Sequence, residues 1–182
     1  MDAILSGFGV QRIWQADFRK VIHAHVPVAD GEVVEDGEFR LDGVAFPGAE
    51  IQLEFLDPAG DGDTLFPTGQ RKDRLEVPGV GMVDATLINA GNPTIFIHAY
   101  SLGLAGTELQ RDVNGQADLL ARAEAIRAAG AVAMGLARSA DEATLKRPHT
   151  PKLAYVAAPA PYTTSDGRPV AAGDVDLLVR IF

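Results

Sequence analysis

The sequence predicts an α+β fold, strand-rich, with one substantial helix. Three observations carry this. Apolar residues alternate with polar ones in several short segments, EIQLEFL at 50–56 being the cleanest. Asp-Gly pairs at 30–31, 36–37 and 42–43 punctuate the first third, and this dipeptide favours tight turns because glycine accepts positive φ. One stretch, NGQADLLARAEAIRAA at 114–129, changes to the three- and four-residue steps of a helix face.

Residues 12–28, RIWQADFRKVIHAHVPV, read as two strands around Ala16-Asp17-Phe18-Arg19. Val21, His23 and His25 share one face of the second strand; Ile22, Ala24 and Val26 share the other. Pro27 cannot donate to a ladder, so that strand should end, or lie on an edge, there. Short strands joined by turns follow. In EIQLEFL, Ile51, Leu53 and Phe55 oppose Gln52 and Glu54, as on a half-buried strand. DPAGDGD at 57–63 is a loop, and LEVPGVGMVDATLINAGNPTIFIHA supplies two or three more strands.

In the helical stretch Leu119, Leu120, Ala123, Ile126 and Gly130 form the stripe, Asn114 is the expected N-cap, Asp118 favours the positive helix end, and Gly130 or Gly135 closes it. Residues 138–151 read as a polar, proline-punctuated loop. KLAYVA at 152–157 is a strand, AAPAPYTTSDGRP is loop, and DVDLLVRIF is a helix or a strand. Its Leu177, Leu178, Val179, Ile181 and Phe182 stay apolar to the last residue, as in an element whose remainder is missing.

An apolar fraction of 47% suffices for a packed core, and 182 residues suit one domain or one lobe of a larger protein. The net charge of −9 argues against a nucleic-acid partner, which needs a basic face, but leaves small anions open. Without cysteine the chain can form no disulfide, thiolate metal site or cysteine nucleophile of its own. No apolar run approaches the ~20 residues that span a bilayer, and the first residues lack a signal-peptide pattern. A cytoplasmic protein with no membrane partner is the expectation.

His23 and His25 have a spacing that metal sites use, but no third His or Cys lies nearby in sequence, so a strand face is expected rather than a metal site. His98 belongs to a strand face and His149 to a loop. Asp57, Asp61 and Asp63 lack the closing glutamate of a calcium loop. GFG at 7–9 and GVG at 79–81 lack the third glycine and helix of a dinucleotide site, and no G-x-S-x-G is present. Gly91-Asn92-Pro93-Thr94 stands out from these. Proline holds Asn92 extended, the Asn92 amide offers donors to a carboxylate, Gly91 lets a ligand approach the backbone, and Thr94 adds a hydroxyl. The same residues also suit an ordinary turn between two strands.

The blocks RIWQADFRKVIHAHVPV, EIQLEFLDP, LFPTG, VPGVGMVDATLINAGNPTIFIHA, LGLAGTEL, LARAEAIRAAGAVAMGLA, TPKLAYVAAP and AAGDVDLLVR resemble, in this order, the PrpF family, whose members include 2-methylaconitate cis-trans isomerases. LINAGNPTIF is more similar to these members than to the related 4-oxalomesaconate tautomerases. The resemblance implies a diaminopimelate epimerase-like fold: two lobes, each a curved, mostly antiparallel sheet or barrel around a central helix, with this chain as one incomplete lobe over 1–182 and residues 1–28 as a crossover between lobes.

It also implies a cofactor-independent proton transfer on an unsaturated tricarboxylate, 2-methylaconitate or aconitate. Such chemistry needs an acid, a base and donors for the enolate charge. The family's Cys- or Ser-containing glycine-rich motif has no match here, so no catalytic residue is expected in this chain. Gly91, Asn92 and Thr94 are the expected substrate-binding residues, with no metal or cofactor. A truncated, non-catalytic fragment and a 4-oxalomesaconate tautomerase-like enzyme are the rival readings, the fragment having an exposed apolar edge that favours a homo-oligomer.

Overall fold

The computed structural model describes residues 6–16, 20–41, 43–56, 64–164 and 167–182. Asp17, Phe18, Arg19, Asp42 and the acidic loop with Asp57, Asp61 and Asp63 lie outside them. The chain forms two compact units, Met1–Asp61 and Gly62–Phe182.

In the first unit β1 (Ser6–Gln15) and β2 (Lys20–Ala29) pair antiparallel along their whole lengths, from Ser6↔Ala29 to Gln15↔Lys20. The other edge of β2 takes β3 (Glu32–Val33) and β4 (Gln52–Phe55), both antiparallel. Asp30 and Gly31 both have positive φ, 51° and 83°, which is the type I′ turn that Asp-Gly favours between twisted strands. Gly37 serves differently. A β-carbon there would lie 2.6 Å from the Gly48 carbonyl oxygen, so glycine permits the close approach beside the Phe39↔Gly48 bridge.

Two expectations need correction here. The strand does not end at Pro27 but runs on to Ala29. The Pro27 carbonyl accepts from Val34 N at 2.9 Å. In an antiparallel ladder a residue's N–H and C=O face the same neighbour, so the missing N–H falls where β3 has already stopped at Val33. Second, EIQLEFL is a strand over Gln52–Phe55, but not a half-buried one: Leu53 is 51% and Phe55 57% exposed. The alternation survives because Leu53 and Phe55 sit opposite Ala24 and Ile22, while Glu54 sits opposite His23. Ala24 is the sole buried apolar residue among the described residues of this unit.

The second unit has a five-stranded sheet. β5 (Asp73–Val77), β6 (Gly81–Ile88) and β7 (Thr94–His98) form an antiparallel meander. A 3-10 turn, Ala99–Leu102, leads to α1 (Gln110–Asn114), α2 (Ala117–Ala133) and α3 (Ala140–Lys146). β8 (Lys152–Ala157) then pairs parallel with β7, as a helical crossover allows. A small hairpin, β9 (Tyr162–Thr163) with β10 (Pro169–Val170), precedes β11 (Leu178–Ile181), which closes the order β11-β8-β7-β6-β5. The α+β class is as expected, and the sheet is mostly antiparallel. It forms no closed barrel among the described residues, and α2 packs on one of its faces.

Alternation fixes that face. Leu75, Val77, Val83, Ala85, Leu87, Ile95, Ile97, Leu153 and Tyr155 are buried together with Leu119, Ala123 and Ile126 of α2. Burying each large aliphatic side chain contributes about 1.5–3 kcal/mol, so this sheet–helix layer is the stabilising core. Leu120, expected in the stripe, points partly outward, and Gly130 lies inside the helix rather than ending it.

The helix start also differs from expectation. Asn114 ends α1, Gly115 separates the two helices, and Gln116 is the N-cap of α2. α1 forms because the Asp112 carboxylate accepts from Leu109 N at 2.9 Å. Residues 138–151 are not all loop, since Ser139 Oγ caps α3 by accepting from Glu142 N at 3.1 Å, and Glu142 accepts from Arg138 N at 3.0 Å. Arg127, buried within α2, ties α3 down. It donates to Glu124 twice at 2.7 Å and to the carbonyls of Ala143 and Arg147, each at 3.0 Å. No helix in the described residues is long and apolar enough to cross a membrane.

Candidate functional site

The turn from β6 to β7 holds the Gly91-Asn92-Pro93-Thr94 knot. Gly91 adopts φ 94°, a conformation that favours glycine. Thr94 Oγ1 donates to the Asn92 carbonyl at 2.9 Å, and Lys152 N donates to the Pro93 carbonyl at 2.8 Å. The knot is thus held from within and from the start of β8. Asn89 N donates to the Leu65 carbonyl at 2.9 Å, which draws the Thr64–Thr68 segment alongside.

These contacts leave a cleft of about 390 Å³ lined by Thr64, Pro67, Asn89, Pro93, Met134, Gly135 and Leu136. The last three come from the end of α2. Gly135, at φ 72°, donates to the Val132 carbonyl at 3.0 Å, and Leu136 N donates to that of Ala131 at 2.9 Å, a Schellman closure. The carboxyl end of a helix carries partial negative charge, so α2 itself offers a carboxylate nothing. The Thr64 and Thr94 hydroxyls already donate, to the Phe66 carbonyl at 2.7 Å and the Asn92 carbonyl at 2.9 Å, so the knot's candidate donor to an anion is the Asn92 amide.

Of the expected site residues, Gly91 and Thr94 are half-buried and Asn92 is exposed. Pro93 is the one knot residue that lines the cleft; Asn92 sits outside its wall. The Asn92 amide has no hydrogen-bond partner among the described residues, which leaves its donors open to a ligand. None of the described residues lining this cleft is titratable. The described lining can therefore hold and orient a polar ligand, and among the described residues it offers no group to move a proton. Nothing local in the sequence points to Thr64, Pro67 or Asn89 as lining a cleft. The LFPTG block was visible, yet nothing local says that it folds against Asn89.

His23 and His25 lie on one strand face as expected, and cross-strand pairing adds a residue that spacing could not reveal. Glu54 Oε2 lies 3.4 Å from His23 Nδ1 and 3.6 Å from His25 Nε2. Among the described residues no group of three His, Cys, Asp or Glu side chains is arranged to hold a metal ion. His98 stacks on Tyr100 with ring centroids 4.9 Å apart, at the exposed end of β7.

The model of the PrpF protein family matches residues 6–182. The chain belongs to the PrpF family. It is 56% identical over 179 residues to a 2-methyl-aconitate isomerase of Shewanella oneidensis, covering 96% of this chain and 45% of that protein. It is 37% identical over 164 residues to a 3-methylitaconate isomerase of Eubacterium barkeri, covering 89% of this chain and 43% of the relative. The crystal structure of a methylitaconate-delta-isomerase superposes with TM-score 0.88 at 35% identity, over 96% of this chain and 46% of the other. The chain therefore has the PrpF-type fold and spans about half the length of the curated relatives it matches.

Proposed function

We propose that this chain supplies the substrate-holding part of a PrpF-type isomerase, acting on an unsaturated tricarboxylate of the 2-methylaconitate or aconitate kind. The observation that carries this is the knot. Asn92 presents an amide that has no partner among the described residues, beside a polar cleft, on a turn braced by Gly91, Thr94 and Lys152. An amide of this kind donates to a carboxylate and keeps donating as negative charge moves onto it when the neighbouring carbon loses a proton. The high identity to 2-methyl-aconitate isomerases favours that substrate over the 4-oxalomesaconate of a more distant relative, which is 35% identical over 117 residues.

The lack of a titratable group among the described residues lining the cleft favours a division of labour. Binding comes from these residues; the acid and base come from a longer protein or a second chain. The test is proton exchange in deuterated water, followed by NMR on 2-methylaconitate. A protein of full family length carrying this sequence should take up deuterium and isomerise the substrate. The 182-residue chain alone should bind without exchange. Robust uptake by the isolated chain would overturn the division, and an inert full-length protein would overturn the activity.

A further inference from the structure

A second cavity, of about 780 Å³, shares no residue with the cleft beside the knot. It opens beside β8 and β11, beneath α1 and the segment around Tyr162. Tyr155 and Arg180 stand directly opposite each other across the β8–β11 ladder, so both side chains rise from the same face. Tyr155 is 3% exposed, yet its hydroxyl makes no hydrogen bond among the described residues. Nor is that oxygen sealed from solvent, so it opens into the cavity that the residue lines. A phenol whose oxygen faces the cavity can turn its O–H from water to a ligand there. Burial, and then the charge of Glu108, push its pKa up, and Arg180 acts in the opposite sense, so at neutral pH the group is a donor.

Arg180 is the second half of the arrangement. Its Nε donates to the Glu108 carbonyl at 3.3 Å and its Nη1 to the Val179 carbonyl at 3.0 Å, while Nη2 has no acceptor among the described residues. The Glu108 carboxylate is turned elsewhere, accepting from Ala105 N at 2.6 Å and Gly106 N at 2.8 Å. The guanidinium is thus positioned by carbonyls and has no ion pair among the described residues. The rest of the wall is largely apolar, with Leu109, Val113 and Leu120 on one side and the Phe182 ring tilted against Tyr155 at 5.4 Å.

We propose that this cavity is a second ligand site, for a small organic acid with one carboxylate and an apolar body. The carboxylate sits on Arg180 Nη2 and the Tyr155 hydroxyl, and the body lies against Leu109, Val113 and Leu120. One guanidinium matches one carboxylate, and Glu108 beside it repels a second, so this ligand class differs from the tricarboxylate proposed for the knot.

The test is ligand-observed NMR titration of the 182-residue chain with benzoate, benzamide serving as the uncharged match in shape. Benzoate should bind saturably and benzamide about tenfold more weakly. Arg180→Gln should weaken benzoate about tenfold, and Tyr155→Phe, which keeps the ring and the packing, about threefold. Asn92→Ala should leave benzoate binding unchanged. Absence of saturable benzoate binding, equal binding of benzamide, or full affinity in Tyr155→Phe would each overturn the site.

Discussion

Gly130 of α2 lies so close to Ile95 of β7 that a β-carbon at 130 would overlap the Ile95 δ-methyl and come within 2.8 Å of its Cγ1. Ile95 follows Thr94 directly, so this contact sets how the end of α2 meets the knot. Gly130→Ala should destabilise by about 1–3 kcal/mol through overpacking, more than the ~1 kcal/mol that alanine gains in helix propensity. Removing the δ-methyl with Ile95→Val should recover part of the loss. Thermal melts of the two single variants and the double variant measure the coupling; additive effects would show that the close approach is not a constraint.

Glu124 links helix packing to pH. The hydrogen bonds from Arg127 are the first cause holding its carboxyl below the ordinary value of 4.5; burial opposes them, and the Thr144 hydroxyl assists. A carboxyl with a depressed folded pKa contributes stability that is fully present above its unfolded value and is lost as pH falls through the folded value. Melting temperature should therefore drop on acidification from about pH 5 downward, and Glu124→Gln should flatten part of that slope. An unchanged slope would place the acid sensitivity elsewhere.

Ser139 is the cap that makes α3 a helix. Ser139→Ala should cost about 0.5–2 kcal/mol, and Ser139→Asp should retain most of the stability. Urea denaturation resolves the difference; equal midpoints for the parent and the alanine variant would mean that Arg127 alone holds α3.

The sheet of the first unit exposes large apolar side chains on both faces: Trp14 is 61% exposed, and Phe55 and Val33 are each 57%. Apolar surface of this kind favours association. Light scattering should show mass rising with concentration, and Leu53→Lys with Phe55→Thr should reduce it. A stable monomer in the parent chain would contradict this.

Local chemistry made much of this fold legible. Asp30-Gly31 located a turn, the alternation in KLAYVA gave a strand with the observed bounds, and LARAEAIRAAG gave the helix face. The Ser139-x-x-Glu142 pattern was also readable, but the prolines and polar residues around it suggested loop. Burial of a strand face depends on what packs over it, so the alternation of EIQLEFL predicted the strand and missed its exposure. The knot could be found from Gly91, Asn92 and Pro93, because turn chemistry and amide chemistry are both local. The Thr64–Asn89 cleft, the His23–Glu54–His25 cluster and the Tyr155–Arg180 pair could not, because each depends on register or on tertiary contact between distant segments.

The substrate-holding role of the knot is tested most directly at the Asn92 side-chain amide itself, observed in 1H–15N spectra of the chain titrated with trans-aconitate. That amide pair should shift saturably, with smaller changes at Gly91, Thr94 and Asn89, and the binding curve should be lost in Asn92→Ala. An Asn92 amide that stays fixed while aconitate binds elsewhere, or an unchanged affinity in Asn92→Ala, would reduce the knot to a turn between two strands.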